Sequence, residues 1–273
     1  MLKKVILKHN KEEALRRFHP WVFSGAIHKV EGGQGEDGEL VEVWSGGKVC
    51  MGVGHYHLGS IAVRMLAFEL IEINEDFWFE RLRSALALRQ AMVINENTNA
   101  YRLIHGEGDR CSGLIIDVYA DVAVFQAHSI GMHRCRADIA AALRRLYAEQ
   151  NLPLNGIYDK SKNSLPSQYA TTNCEENYIW AAEGRAETFA VEILENGQQF
   201  EVNWKEGQKT GFFLDQRDNR HLLGQYAKGK SVLNTFCYSG GFSVYALAQG
   251  ATKVLSVDAS EKAISLVHKN VII

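Results

Sequence analysis

"KSVLNTFCYSGGFSVYALAQGATKVLSVDASEKAISLVHKN", residues 230–270, decides how the C-terminal part of this chain is read. Val232 to Phe236 reads as a buried strand, Cys237 to Gly241 as a glycine turn, and Phe242 to Gln249 as a helix. A second buried strand, Val254 to Val257, ends on Asp258. This is a βαβ unit, and open sheets of that kind bind ligands outside the carboxyl ends of their strands. Glycines in the turn let a ligand approach the backbone, and a carboxylate at the tip of the second strand can accept hydrogen bonds from ribose hydroxyls. The pattern therefore points to a nucleoside. The turn reads C-Y-S-G-G-F, without the spaced G-x-G-x-x-G of a pyrophosphate site or the Lys-Ser/Thr of a P-loop. S-adenosylmethionine suits it better than NAD or ATP. The plain alternative is a tight turn with no ligand.

Upstream lies "KTGFFLDQRDNR", residues 209–220. Asp215 is placed to cap a helix beginning at Gln216, with Asp218 at its third position favouring the dipole. That leaves Gly211, Phe212, Phe213, Gln216 and Arg217 without a role in the helix start. Free N–H groups at a helix start suit an anionic ligand group, and the carboxylate of methionine is one candidate. Just before it, "TFAVEILENGQQFEVNW" alternates on both sides of an Asn-Gly hairpin signal.

The first 72 residues read as β-rich. "GELVEVW", "KVCMGVGHY" and "SIAVRML" are short strands separated by turn signals, as in a small barrel or sandwich. Asn74 to about Ile94 shows near-helical spacing of Phe77, Phe79, Leu82, Leu86 and Leu88. "LIIDVYADVAVFQAH" (114–128) is a strand, a turn and a strand, and His133 to Gln150 a second amphipathic helix. The block from 75 to 185 is thus α+β. His55 with His57, and His133 with Cys135, lack partners at ligand spacing, so no metal site is expected.

Composition sets outer limits. A chain of 273 residues suits two or three domains, and 46% hydrophobic with 23% charged residues is ordinary for a globular protein. No apolar run is long enough to span a bilayer, and the N-terminus lacks a signal-peptide core. Five cysteines, none in a C-x-x-C pair, argue against a disulfide framework and fit a reducing cytoplasm. The net charge is −2, yet residues 1–30 hold seven Lys/Arg against Glu12 and Glu13. Such a patch can attract a polyanion such as RNA, or be a solvated basic face.

Four segments in order, "HPWVFSGAI" (19–27), "YRLIHGEGD" (101–109), "GQKTGFFLDQRDNR" (207–220) and "LNTFCYSGGFSVYAL" (233–247), resemble one family. It is the bacterial ribosomal RNA methyltransferases that act on carbon 5 of a cytosine in the large subunit. The resemblance implies an α/β and β fold in three parts: an N-terminal PUA-like RNA-binding β-barrel (1–72), a central α+β domain (73–187) and the start of a Rossmann-like class I methyltransferase domain (188–273). It implies that Phe236, Tyr238, Gly240, Gly241 and Ala259 line S-adenosylmethionine, with Asp258 at the ribose and Gln216 at the methionine end. Lys3, Arg16, Arg17, His19 and Trp21 would contact ribosomal RNA; Asp215 and Arg217 would order the helix start or face that RNA. No membrane partner is implied.

Two departures stand out. After "IYDKSKNS" the family's charged strand continuation is missing. The family's D-P-P loop and the cysteine nucleophile of its Ser/Thr-Cys-Ser motif have no counterpart up to Ile273. The expectation is therefore a chain truncated at its C-terminus relative to the family, with no catalytic nucleophile of its own, weak cofactor binding at best and no turnover. Cys237 reads as a small buried neighbour of the turn. The rival reading is a non-catalytic PUA-type RNA-binding protein with a vestigial methyltransferase half. A nicotinamide-dependent oxidoreductase fares poorly without the pyrophosphate glycines.

Overall fold

Alternation at period two builds the N-terminal sheet. A computed structural model describes residues 2–272. Its first six strands are β1 (Lys3–Leu7), β2 (Trp21–Phe23), β3 (Ile27–Glu31), β4 (Leu40–Trp44), β5 (Cys50–Tyr56) and β6 (Ile61–Ala67). They form one mixed sheet in the order β2-β6-β5-β4-β1-β3, with β1 and β4 parallel and the other neighbouring pairs antiparallel. The inward positions of β1 and β4 are Val5, Leu7, Val41 and Val43, which join Leu15, Val22, Val63 and Met65 in one core. Leu15 comes from the one-turn helix α1 (Glu13–Arg16). The three strands read within residues 38–66 all form, as β4, β5 and β6.

Helix α2 (Glu75–Met92) follows, and buries Phe77, Trp78, Phe79, Leu82 and Leu86. Asn74 accepts the Phe77 N–H at 3.0 Å, which satisfies one of the unpaired donors at the helix start. A second sheet orders its strands β11-β10-β9-β8-β7. These are β7 (Ala100–His105), β8 (Leu114–Tyr119), β9 (Val122–Ala127), β10 (Gly156–Asp159) and β11 (Tyr178–Ala181). The single amphipathic helix expected over 133–150 is instead two, α3 (Ile130–Arg134) and α4 (Arg136–Glu149). Cys135, with ψ near 3°, breaks the helical path between them, and Ser129 caps α3 by accepting the Met132 N–H at 3.4 Å. Helix α5 (Ser167–Asn173) precedes β11.

The hairpin of β12 (Ala190–Glu195) and β13 (Gln198–Asn203) closes on Asn196 and Gly197, both at positive φ (50° and 78°). That is the two-residue turn whose twist matches antiparallel strands. Then come α6 (Arg217–Ala227), β14 (Ser231–Thr235), α7 (Gly241–Ala248), β15 (Lys253–Val257) and α8 (Glu261–Ile272). β14 and β15 are parallel, in register from Ser231↔Lys253 to Thr235↔Val257.

The expectation of two buried strands fails here. One face of the β14–β15 pair lies under α7, where Asn234 donates to Ser243 Oγ at 2.8 Å and Ser243 in turn pairs with Ser256 at 2.8 Å. The other face carries Leu233, Leu255 and Val257, which are 64%, 55% and 46% exposed. An apolar run signals burial on both faces of a parallel strand, but among the described residues helices pack on only one.

By compactness the chain resolves into two units, residues 1–87 with 103–116 and 125–181, and residues 88–102 with 117–124 and 182–273. No helix among the described residues is long and apolar enough to cross a membrane.

Candidate cofactor site

The turn after β14 is strained in a specific way. Phe236, Tyr238 and Gly240 all take positive φ (56°, 45° and 77°), a region that costs an L-residue with a side chain about 1 kcal/mol or more. Three hydrogen bonds from backbone N–H groups hold it. Cys237 N–H reaches Val257 O at 3.2 Å, Gly240 N–H reaches Cys237 O at 2.8 Å, and Tyr238 N–H reaches Asp258 Oδ2 at 3.0 Å. A Cβ at Gly240 would meet Val267 at 3.1 Å, and one at Gly241 would meet Arg220 Cδ at 2.8 Å. The paired glycines therefore let the start of α7 pack against α6 and α8, in addition to keeping the turn low.

Asp258 is fixed from both sides. Ser260 N–H donates to Oδ1 at 2.9 Å and Tyr238 N–H to Oδ2 at 3.0 Å. These backbone donors, Ser260 first, hold its carboxyl below the usual aspartate range. A carboxylate accepts about four hydrogen bonds, so two positions remain for ligand hydroxyls. Beside it lies a cavity of about 530 Å³ lined by Gln208, Tyr238, Asp258, Ser260, Leu266 and Lys269, among others. That volume is in the range of small-molecule sites, roughly 300–1,000 Å³.

Tyr238 ties this edge to the run at 207–213. Its hydroxyl accepts the Gln208 N–H at 2.9 Å and donates to Gly211 O at 3.0 Å, while Phe213 stands edge-on to its ring at 5.3 Å. The two phenylalanines separate in role. Phe212 is buried, packs on Phe200 at 5.2 Å and lies under the Arg220 guanidinium at 4.6 Å. The segment is anchored below by Thr210, which donates to Asp117 at 2.5 Å; Asp117 also takes a two-pronged bond from Arg102 at 2.8 and 2.9 Å.

Asp215 does not cap the helix. It lies in a 3₁₀ turn, Leu214–Gln216, that moves the start of α6 to Arg217 and leaves Gln216 at the cap position with no side-chain bond to the helix's free N–H groups. Asp218 consequently occupies the second helical position, not the third. The Gln216 amide donates to Asp215 at 3.2 Å and accepts from Asn219 at 3.0 Å, and Gln216 lies outside the lining of the cavity beside Asp258. Arg217 makes a long contact with Asp218 at 3.4 Å. Phe236 is 92% exposed at the end of β14, and Ala259 is exposed next to Asp258. Of the residues expected at the cofactor, the structure thus brings Tyr238 and Asp258 directly together, sets Gly240 and Gly241 behind them, and places Gln216 outside the lining of that one cavity.

Sequence reasoning missed a buried network beneath this turn. Arg220 makes two 2.7 Å bonds to Glu195, both side chains are almost fully buried, and Tyr245 adds a hydrogen bond to the same carboxylate at 3.1 Å. Burial pushes the Tyr245 phenol well up, so it stays a donor. Glu195 reads in sequence as an ordinary hairpin residue, one of two acids in its strand, and nothing along the chain sets it apart from Glu192. Gln208, on the cavity wall, was missed as well.

The residues expected to meet RNA are in differing states. Lys3 is engaged with Glu39 at 2.8 Å and with Gln34 O at 2.9 Å. Arg16 is exposed, and Arg17 is exposed and paired with Glu13 at 2.9 Å. Trp21 is half-buried, its Nε1–H donating to Glu107 at 2.9 Å, and His19 stands edge-on to it at 5.8 Å. Among the described residues, no group of three His, Cys, Asp or Glu side chains is arranged to hold a metal ion.

A βαβ unit with an anchored acid at its second strand tip defines a nucleoside-binding module of the doubly wound class. The chain belongs to the S-adenosylmethionine-dependent methyltransferase family, whose model matches residues 101–271, and residues 5–68 match the PUA-like domain. The N-terminal sheet is therefore PUA-like and the C-terminal part has the class I methyltransferase fold. The chain is 38% identical over 273 residues to ribosomal RNA large subunit methyltransferase I of Pseudoalteromonas atlantica, covering 99% of this chain and 66% of that protein. The protein of that name from Tolumonas auensis is 38% identical over 268 residues, covering 97% and 65%. The chain thus spans just under two thirds of the length of these relatives. Among solved structures, an S-adenosylmethionine-dependent methyltransferase from Streptococcus mutans superposes with a TM-score of 0.78, at 25% identity over 99% of this chain and 66% of that one. A methyltransferase complexed with SAH gives 0.80 at the same identity and coverage.

Proposed function

We propose that this chain carries the RNA-gripping and cofactor-holding parts of an S-adenosylmethionine-dependent methyltransferase that acts on carbon 5 of a cytosine in large-subunit ribosomal RNA. The observation that carries the cofactor reading is the Asp258 carboxylate, held by two backbone N–H groups at the edge of a cavity of small-molecule size. The residues fit the group. Asp258 would take the ribose hydroxyls, the turn at Tyr238 to Gly241 would lie under the sulfur-bearing chain, and Phe236 and Ala259 would flank the nucleoside. Gln216 and the 207–213 segment would face the methionine end. Bound there, the cofactor supplies an electrophilic methyl group on a sulfonium sulfur.

The chain's own residues bind and orient. The segment division follows the resemblance: 1–72 for RNA, 73–187 as a central domain, 188–273 for the cofactor. Lys3, Arg16, Arg17, His19, Trp21 and Arg217 are the proposed RNA contacts, and the names of the relatives support ribosomal RNA as the partner. The proposed setting is the cytoplasm. Methylation at carbon 5 of cytosine calls for a thiolate that adds to carbon 6 and makes carbon 5 nucleophilic. Four of this chain's cysteines are poorly suited to that step. Burial pushes Cys111 up to about 12 and Cys135 up to about 11, and raises Cys174 and Cys237 as well. The nucleophile is therefore assigned to none of these four.

The test has two arms. Calorimetry of the chain with SAH should show binding that Asp258→Ala reduces at least tenfold; undiminished binding would mean the ribose is elsewhere. Nucleoside mass spectrometry of large-subunit ribosomal RNA from cells with the gene disrupted should show the loss of one 5-methylcytidine. Loss of a different methylated nucleoside would overturn the cytosine assignment.

A further inference from the structure

Two phenylalanines on the PUA-like sheet are placed where packing does not need them. Phe18 is 71% exposed and Phe23 is 49% exposed. Phe18 follows the one-turn helix α1 and sits at φ 61°, the left-handed position that glycine usually fills after a helix. Its N–H bonds to Leu15 O at 2.9 Å and the next N–H, of His19, to Ala14 O at 3.0 Å, so the backbone is held in that state. A bulky residue in a strained conformation that leaves most of its ring exposed contributes little to the core; it meets the Phe68 ring at right angles, 5.2 Å between centres. On the adjoining strand Val22 points inward, which leaves Trp21 and Phe23 on the outer face. The His19 ring lies 6.3 Å from Phe23 and tilted 37° to it.

The surroundings carry arginines, two of them paired with acids. Trp21 is pinned through its indole N–H to Glu107, which also pairs with Arg64 at 3.2 Å, and the Arg64 guanidinium lies 5.6 Å from the indole ring centre; Arg17 pairs with Glu13. Arg16 lies exposed two residues before Phe18. Open aromatic faces beside arginines match how proteins take unpaired nucleotides: bases stack on the rings, and cations meet the phosphates. A duplex offers no free base faces to such a surface.

We propose that Phe18, His19 and Phe23 form a stacking platform for unpaired nucleotides of the RNA, with Arg16 on the adjoining phosphate. This rests on the RNA-binding reading above and adds to it a form of RNA, single-stranded, and a mode of contact. Stacking is worth about 1–3 kcal/mol per base, or about 5- to 150-fold in affinity.

Fluorescence anisotropy with a labelled single-stranded RNA and a duplex of equal length tests the platform. Phe18→Ala and Phe23→Ala should each weaken single-strand binding by about tenfold, within the range for a lost stack. They should leave duplex binding and the thermal transition unchanged. Phe18→Tyr, which keeps the ring, should bind as the parent does. Arg16→Ala should instead lower the slope of log affinity against log salt by about one unit. Undiminished single-strand binding by both alanine variants would overturn the platform and leave the patch to a protein partner. If the parent binds neither RNA, the RNA-binding reading itself falls.

Discussion

Replacing Tyr238 by Phe separates the two halves of the proposed cofactor site. The substitution removes only the hydroxyl, which takes the Gln208 N–H at 2.9 Å and donates to Gly211 O at 3.0 Å. The backbone N–H that holds Asp258 is untouched, as is the ring against Phe213. Each lost hydrogen bond is worth about 0.5–1.5 kcal/mol net, so ordering the 208–211 segment becomes harder by roughly 1–3 kcal/mol. If the methionine end of the cofactor needs that segment ordered, SAH affinity should fall about 5- to 150-fold, at 1.4 kcal/mol per tenfold. Adenosine, which has the ribose and base alone, should lose less than about twofold, because its proposed partner is Asp258. Calorimetry with the two ligands on parent and variant gives the comparison directly. Equal losses for both ligands would show that the hydroxyl merely supports the fold. Unchanged SAH affinity would show that the 207–213 run does not face the ligand.

Three further outcomes follow from the same geometry. Arg220→Met should destabilise the C-terminal part by about 3–5 kcal/mol in urea unfolding, since it strands the buried Glu195 carboxylate. The double variant with Glu195→Leu should recover much of that loss; no recovery would mean packing, not charge, sets the cost. His55 is buried with its pKa pushed down to about 3, so it resists protonation in the fold while the unfolded chain takes up a proton below about 6.5. Stability should therefore be unaffected by this group above pH 6.5 and fall by about 1.4 kcal/mol per pH unit on going down toward 3; a His55→Gln variant should show a shallower acid limb in denaturation curves. Asp258 is held below the ordinary aspartate value of 3.8, so SAH affinity measured between pH 7 and 5 should show no inflection from this carboxylate. An Asp258-dependent inflection in that window would contradict the two backbone hydrogen bonds.

Local chemistry was legible wherever a residue type has one main use. The Asn-Gly pair marked its hairpin to the residue, because positive φ at both positions excludes most alternatives. The run C-Y-S-G-G-F and the acid twenty-one residues after Cys237 marked a βαβ edge for the same kind of reason. What failed were statements that depend on a neighbour. Asp215 has every property of a cap, yet a 3₁₀ turn shifts the helix start by one residue and gives the carboxylate to Gln216. Leu233, Leu255 and Val257 have the composition of a two-sided core, yet helices cover only the opposite face among the described residues.

The sequence by itself determined the order of the elements, the likeness to a methyltransferase and the acid poised for a ribose, since each follows from backbone preference or from spacing along the chain. Only the tertiary structure decided that Tyr238 joins Asp258 to the segment at 207–213, and that Arg220 reaches Glu195 beneath the turn. Those pairs are separated by 20, 27 and 25 residues. A hydrogen bond depends on distances of about 3 Å and on direction, and sequence patterns at the periods of helix and strand carry neither across such separations.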